Sequence, residues 1–170
     1  AGLSATASTT DVLCFGESTG AIDLTVAGGT APYTYSWENG SSTEDIVDLA
    51  AGNYEVVITD SNGCSLTENF EISEPAAGLS ATGSTTDVLC FGESTGAIDL
   101  TVAGGTAPYT YSWDNSSSTE DIADLSAGNY EVIITDSNGC SLTENFEISQ
   151  PAAGLSATAS TTDVLCFGES

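Results

Sequence analysis

Carboxylates and thiols are the groups in this 170-residue chain whose types and spacing could do chemistry. The chain has 25 Asp and Glu residues and five Cys, but no Lys, Arg or His, so its formal net charge is -25. Without cations it cannot form a lysine Schiff base, an arginine clamp for phosphate or a histidine general base. The same lack of cations excludes binding to a nucleic acid backbone, and an anionic membrane surface would repel the chain.

A pair of carboxylates is the one catalytic device that this composition leaves open. Glycosidases place two carboxyls at about 5 to 9.5 Å across a cleft. Here acids such as Asp23, Glu55 and Glu71 alternate with apolar residues, which is typical of the solvated face of a strand. We therefore expect the chain not to be an enzyme.

Oxygen donors could instead bind a hard cation such as Ca²⁺. Candidate ligands are Asp60 and Asn62, with Asp136 and Asn138 at the matching positions 76 residues later. The Asp-Ser-Asn-Gly segment is shorter than an EF-hand loop, so a plain hairpin turn is the alternative. The sequence requires no cofactor, and Ca²⁺ is the one candidate for that role. Because the carboxylates repel one another, added calcium or salt should raise the melting temperature.

The cysteines lie at alternating spacings that indicate disulfides in an oxidising exterior. They are Cys14, Cys64, Cys90, Cys140 and Cys166. Two sets of local pairs are open. The preferred set joins Cys64 to Cys90 and Cys140 to Cys166, across each repeat junction. The alternative joins Cys14 to Cys64 and Cys90 to Cys140, within each repeat.

An internal repeat of 76 residues organises the chain. Residues 1–76 recur as residues 77–152 with seven substitutions, and residues 153–170 begin a third copy. The substitutions, each written with the first-copy residue first, are Ala7/Gly83, Glu38/Asp114, Gly40/Ser116, Val47/Ala123, Ala50/Ser126, Val57/Ile133 and Glu74/Gln150. If residues 79–90 fold back as a strand on the preceding copy, the structural units shift to about 17–90 and 93–166.

Alternation of apolar and polar residues predicts short strands separated by turns in each copy. The runs are Ile22–Val26, Tyr33–Trp37, Tyr54–Ile58 and Leu66–Ile72. Gly52, Asn53 and Tyr54 resemble the tyrosine corner of immunoglobulin-like domains. The predicted fold is all-β, with tandem immunoglobulin-like (PKD-like) β-sandwich domains in a linear array. We also expect Tyr33, Tyr35 and Trp37 to line a buried strand face instead of a sugar-binding surface.

Several segments of the repeat resemble a known family. The stretch CFGESTGAIDLTVAGGTAPYTYSW, with EDIVDLAAGNYEVVITDSNGCS and EISEPA after it, is similar to the SprB-type repeat of giant surface adhesins of gliding Bacteroidetes. The resemblance covers nearly the whole chain, twice. It implies a secreted, cell-surface, filament-like protein, exported by the type IX route and concerned with adhesion or gliding.

Two functions follow from these observations as expectations. The first is a structural repeat segment of a long extracellular filament or adhesin stalk, whose partners are further copies of the same repeat in the parent chain. The alternative is a β-sandwich module that binds a surface polysaccharide or glycan. Neither function involves nucleic acid or direct insertion into a membrane, and no apolar run here is long enough for a membrane span.

Overall fold

The computed structural model describes residues 2–161, and every strand in this part of the chain belongs to one of two similar six-stranded copies. The first copy contains β1 (Ser4–Thr10), β2 (Gly20–Ala27), β3 (Thr34–Trp37), β4 (Ile46–Leu49), β5 (Gly52–Thr59) and β6 (Ser65–Ile72). The second contains β7 (Ser80–Thr86), β8 (Gly96–Ala103), β9 (Thr110–Trp113), β10 (Ile122–Leu125), β11 (Gly128–Thr135) and β12 (Ser141–Ile148).

Each copy is built from two three-stranded antiparallel sheets. The strand order is β1-β2-β4 in one sheet of the first copy and β3-β5-β6 in the other, and β7 to β12 repeat this order in the second copy. Strands β5 and β6 form a hairpin in continuous register from Gly52 opposite Ile72 to Thr59 opposite Ser65. The all-β, tandem immunoglobulin-like sandwich predicted from the alternation is confirmed.

The inward-facing residues of the two sheets make one core per copy, because alternate residues of a strand point to the same face. In β5, Val56 and Ile58 are buried completely, and Trp37 in the neighbouring β3 is 3% exposed. The indole Nε1 of Trp37 donates a hydrogen bond to the carbonyl of Thr43 at 2.8 Å. The core residues of the first copy are Val12, Ile22, Leu24, Trp37, Ile46, Leu49, Val56, Ile58 and Ile72.

A tyrosine ties the start of β5 to the preceding turn. The hydroxyl of Tyr54 donates to the carbonyl of Ala50 at 3.0 Å, and Tyr130 donates to Ser126 at 2.9 Å in the second copy. The predicted tyrosine corner is thereby confirmed.

The strand at residues 80–86 belongs to the copy that follows it in sequence, contrary to the proposed phase shift. β7 pairs with β8 over seven residues, from Ser80 opposite Ala103 to Thr86 opposite Ala97. Its partner is thus not the sheet of the preceding copy. Leu79 and Val88, on either side of β7, pack into the core of the second copy and so hold the strand on that copy.

The polypeptide enters and leaves each copy at opposite ends of the sandwich. β1 starts beside the end of β2, with Ser4 opposite Ala27, and β6 starts at the β5–β6 turn. Both strands run away from that turn, and the backbone N–H of Val12, just after β1, bonds to the carbonyl of Ser73, just after β6. Two such copies in one chain are therefore connected head to tail. No helix among residues 2–161 is long and apolar enough to cross a membrane.

Adjacent isoleucines in β11 test this packing. Ile134 is fully buried whereas Ile133 is 42% exposed on the opposite face. We expect Ile134→Ala to lower the free energy of unfolding of the second copy by about 2 to 5 kcal/mol, because it leaves a cavity in the core. Ile133→Ala should change it by less than about 0.5 kcal/mol. Urea unfolding curves of both variants measure the difference, and equal losses would contradict the assignment of faces.

Candidate functional site: the junction between repeats

Two loops at opposite ends of each copy carry the cysteines. We call residues 11–17 and 87–93 the loop end of the first and second copy, and residues 60–64 and 136–140 the hairpin end. Cys14 and Cys90 lie in the loop ends, whereas Cys64 and Cys140 close the hairpin ends. The geometry of these two loops decides which cysteines can meet.

A buried carboxylate shapes the hairpin end. Asp60 is 6% exposed, and its oxygens accept backbone N–H groups of Thr30 at 3.0 Å and of Asn62 and Cys64 at 2.9 Å each. The backbone N–H of Asp60 in turn bonds to the carbonyl of Cys64. These bonds fix the turn and hold Cys64 at its rim.

The same bonds favour the charged carboxylate. The N–H of Cys64 is the largest influence on the pKa of Asp60, and with those of Thr30 and Asn62 it holds that pKa below the ordinary value. For Asp136 burial acts most strongly and raises the pKa. The combined donors from Thr106, Cys140 and Asn138 nevertheless leave it lowered.

Backbone and side-chain bonds to the end of β6 shape the loop end. Val12 is buried in the core, and Asp11 accepts the N–H of Ser73 at 2.8 Å, which lowers the pKa of Asp11. The N–H of Gly16 donates to Oε2 of Glu74 at 2.6 Å. Cys14 is therefore presented beside the segment through which the chain passes into the second copy.

At this junction the loop end of the first copy meets the hairpin end of the second. Cys14 and Cys140 form a disulfide, with their Cα atoms 5.7 Å apart. Nδ2 of Asn138 donates to the carbonyl of Leu13 at 3.0 Å. The ring of Phe15 covers Gly78, where a Cβ would lie 3.4 Å from Cδ1 of the ring. The junction combines a covalent bond, a hydrogen bond and an apolar contact.

This pairing corrects both disulfide sets expected from the sequence. Cys64 and Cys90 are free thiols in the described part of the chain, so neither the preferred pair Cys64–Cys90 nor the alternative pair Cys14–Cys64 is formed. The pairing of Cys14 with Cys140 excludes the expected pairs Cys140–Cys166 and Cys90–Cys140. Cys166 itself lies outside the described residues. The reason is that the two cysteines of one copy lie at opposite ends. The head-to-tail connection brings the loop end of the first copy to the hairpin end of the second and leaves Cys64 and Cys90 at the two outer ends.

The four candidate calcium ligands make other contacts. The oxygens of Asp60 and Asp136 accept backbone N–H groups, and the side-chain amide of Asn62 donates to the hydroxyl of Thr30 at 2.9 Å. Asn138 instead reaches the first copy. Within residues 2–161 no group of three or more acidic or cysteine side chains is placed to hold a metal ion. Calcium binding stays a prediction.

The aromatic row lies against the core as expected. Trp37 is buried, and Tyr33 and Tyr35 are half-buried against the same cluster. Burial, and after it the carboxylate of Glu44, raises the pKa of Tyr35 to about 12. The Tyr33 hydroxyl donates to the carbonyl of Gly28 at 2.6 Å. These rings serve packing and turn geometry.

Sequence reasoning missed the junction because it compared only neighbouring cysteines. The signal that could have found it is the spacing of 126 residues between Cys14 and Cys140, which equals the within-repeat spacing plus one period. Recognising that signal requires knowing that β1 and β6 run in the same direction.

Comparison with known proteins supports an SprB-type repeat in each copy. The family model described as SprB repeat matches residues 6–42 and 82–118, at the same positions of the two copies. Both matches run from β1 past β3 and include the cysteine of the loop end. No curated protein matches the sequence.

Three solved structures are similar to this chain at low sequence identity. A C-terminal fragment of intimin, in complex with its receptor domain, is 14% identical with a TM-score of 0.46, covering 88% of this chain and 64% of the fragment. The N-terminal eight immunoglobulin domains of Down syndrome cell adhesion molecule are 13% identical with a TM-score of 0.42, covering 88% of this chain and 25% of that one. The amphioxus IgVJ-C2 molecule is 12% identical with a TM-score of 0.34, covering 84% and 96%. This chain thus spans less than two thirds of the length of the first two.

The hairpin carboxylates predict a specific acid sensitivity. Because the pKa values of Asp60 and Asp136 are lowered in the fold, the ionised groups stabilise it above about pH 4, the range of the unfolded value. That stabilisation is lost as the pH falls through the folded values. The variant Asp60→Asn/Asp136→Asn should therefore melt below the parent at pH 7, and the difference should shrink below pH 4.

A second pair of substitutions controls for the change in net charge. Asp23 and Asp99 are exposed at equivalent positions of β2 and β8. Asp23→Asn/Asp99→Asn removes the same two charges and should not lower the melting temperature at pH 7. A difference between parent and hairpin variant that is constant from pH 7 to pH 3 would contradict the role of the ionised carboxylates.

Cation dependence separates general screening from a calcium site. With no cationic side chain in the chain, added NaCl, MgCl₂ or CaCl₂ should raise the melting temperature by weakening repulsion among carboxylates. A specific site would show a further rise in CaCl₂ over MgCl₂ at equal concentration, abolished in Asp60→Asn/Asp136→Asn. Equal melting in the two divalent salts would overturn the prediction of a site.

Proposed function

We propose that this chain is a spacer segment of a long extracellular surface filament or adhesin stalk that serves adhesion or gliding motility. The observation that carries the proposal is the head-to-tail junction, where the chain leaves one sandwich at its loop end and enters the next at its hairpin end. The disulfide between Cys14 and Cys140 then restrains the two copies across that junction. A chain of such copies grows in one direction, as a stalk must.

The uniform negative charge suits a filament. Every ionisable residue apart from Tyr and Cys is acidic, so neighbouring filaments repel at neutral pH. Repulsion counters pairing between the exposed edges of sheets, a hazard that rises when copies are nearly identical. The charge therefore keeps the filaments apart.

The covalent junction supports an extracellular location. Disulfides persist in oxidising compartments and are rare in reducing ones. Export by the type IX route and a part in gliding motility belong to the proposal, and both come from the similarity to SprB repeats. The same similarity points to a non-catalytic structural module.

Small-angle X-ray scattering of the purified chain tests the linear arrangement. We expect the monomeric fraction under oxidising conditions to have a maximum dimension close to two sandwiches end to end. In Cys14→Ser/Cys140→Ser the distribution of interatomic distances should broaden, because the junction keeps only its non-covalent contacts. Cys64→Ser is the matched control and should leave the profile unchanged. A compact particle with the two copies side by side would contradict the stalk.

Surface labelling of the native cells tests the location. Antibodies raised against this chain should label intact cells, and external proteinase should remove the signal. Cells whose parent protein lacks these repeats should adhere or glide less. Labelling that requires permeabilised cells would contradict the proposal, and retention of the isolated chain on a polysaccharide column would favour the glycan-binding alternative.

A further inference from the structure

The two ends of the described array carry the same surfaces that meet at the junction, but uncovered. At the junction Cys14, Asn138 and Cys140 are half-buried. Their equivalents at the outer ends, Cys90, Asn62 and Cys64, are exposed. The sequences around these residues are almost the same, so the difference comes from the neighbouring copy.

The equivalent leucines of the two loop ends also differ in exposure. Leu13 at the junction is 52% exposed, and Leu89 at the outer loop end is 78% exposed. The depression beside Cys140 is lined by Leu79 and Ser141 of the second copy together with Cys14 and Phe15 of the first. The equivalent depression beside Cys64 is lined only by residues of the first copy. Each outer end thus has the shape of half a junction.

The second junction already begins in the same way as the first. Phe91 covers Gly154, where a Cβ would lie 3.7 Å from Cδ1 of the ring, as Phe15 covers Gly78. The N–H of Gly92 donates to Oε1 of Gln150 at 2.8 Å, as that of Gly16 does to Glu74. The start of the third copy therefore approaches Cys90 along the path by which the second copy approaches Cys14.

We propose that Cys90 and Cys64 are the open halves of a disulfide ladder that joins every copy to both of its neighbours. Cys90 bonds to the hairpin-end cysteine of the following copy, and Cys64 bonds to the loop-end cysteine of the preceding one. The partner at each end is another copy of this repeat, and no disulfide forms within a copy. The inference rests on the proposed function in that it requires further copies in the parent chain.

Each bond of the ladder needs an oxidant, for which we name a small-molecule disulfide, oxidised glutathione. One cysteine thiolate attacks it, releases one glutathione thiolate and becomes a mixed disulfide. The second cysteine thiolate then attacks the protein sulfur of that mixed disulfide and releases the other glutathione thiolate. Two protein thiols are oxidised to one disulfide while oxidised glutathione is reduced to two glutathione molecules.

A chain with three complete copies tests the ladder. The third copy, begun at Ala153, is completed after Ser170 with the sequence of residues 95–152. After oxidation with a glutathione buffer, free thiols of the monomeric fraction are alkylated and the protein is cleaved after Glu without reduction. Trypsin is of no use, because the chain contains no Lys or Arg.

Differences between the copies identify each cysteine peptide by mass. Val57 distinguishes the Cys64 peptide from the Cys140 peptide, which has Ile133 at that position. The Cys90 peptide differs in mass from the Cys166 peptide because it has Glu74 and Gly83 where the later peptide has Gln150 and Ala159. A Thr at the position of Ile133 in the third copy marks its hairpin-end cysteine.

We expect two bonds, from Cys14 to Cys140 and from Cys90 to the hairpin-end cysteine of the third copy, with Cys64 and Cys166 alkylated. A bond between Cys64 and Cys90, a bond within one copy, or an alkylated Cys90 beside an intact Cys14–Cys140 bond would each overturn the ladder.

Two matched substitutions test the surfaces themselves. Phe91→Ala should reduce the yield of the second bond severalfold under limiting oxidant and leave the first unchanged, whereas Phe15→Ala should do the reverse. Both rings are about half exposed, so neither change removes core packing. Equal yields in both variants would contradict docking through the phenylalanines.

The disulfide map does not depend on the cellular location of the parent protein. Failure of surface labelling would overturn the stalk and leave the bond pattern standing. A wrong bond pattern with correct surface labelling would overturn the ladder alone.

Discussion

Backbone amides take the place that cationic side chains hold in most proteins. With no Lys, Arg or His in the chain, backbone N–H groups stabilise carboxylates, and these bonds connect segments far apart in sequence. Asp60 joins the hairpin end to Thr30, Asp11 joins the loop end to Ser73, and Asp45 accepts the N–H of Leu24 at 2.9 Å. The first two fix the two ends of the sandwich, and the junction depends on their shapes.

Much of the fold could be predicted from the sequence because burial alternates within single strands. Ile22 and Leu24 face the core while Asp23 faces solvent, so the pattern of β2 indicates its own orientation. The first strand of each copy carries no such pattern. The sequence SATASTT has no large apolar side chain, so it does not indicate its partner strand or the phase of the repeat. The disulfide pairing depends on which sheet this strand joins, and the spacing of the cysteines does not reveal that.

The substitutions between the two copies lie at positions where the contacts are kept or where the side chain is exposed. Gln150 accepts the same glycine N–H as Glu74, because an amide oxygen replaces a carboxylate oxygen. Val47, which becomes Ala123, is 65% exposed. Ser116 keeps the positive φ of Gly40, at 70° against 87°, a conformation that costs a residue with a side chain about 1 to 2 kcal/mol. Glycine is therefore the more favourable residue for this conformation, and the second copy has serine there instead.

The bond between Cys14 and Cys140 also changes how far an array of copies could stretch. In an array with that bond at each junction, the shortest covalent route crosses from one loop end to the next hairpin end and then runs backwards along the chain to the loop cysteine of that copy. It passes through the 50 residues from Cys140 to Cys90 instead of the 76 of the repeat. At roughly 3.3 to 3.6 Å per residue, tension that unfolds a copy could extend it to about 170 Å instead of about 260 Å. The disulfides therefore limit the length to which each copy can be extended, in addition to joining neighbouring copies.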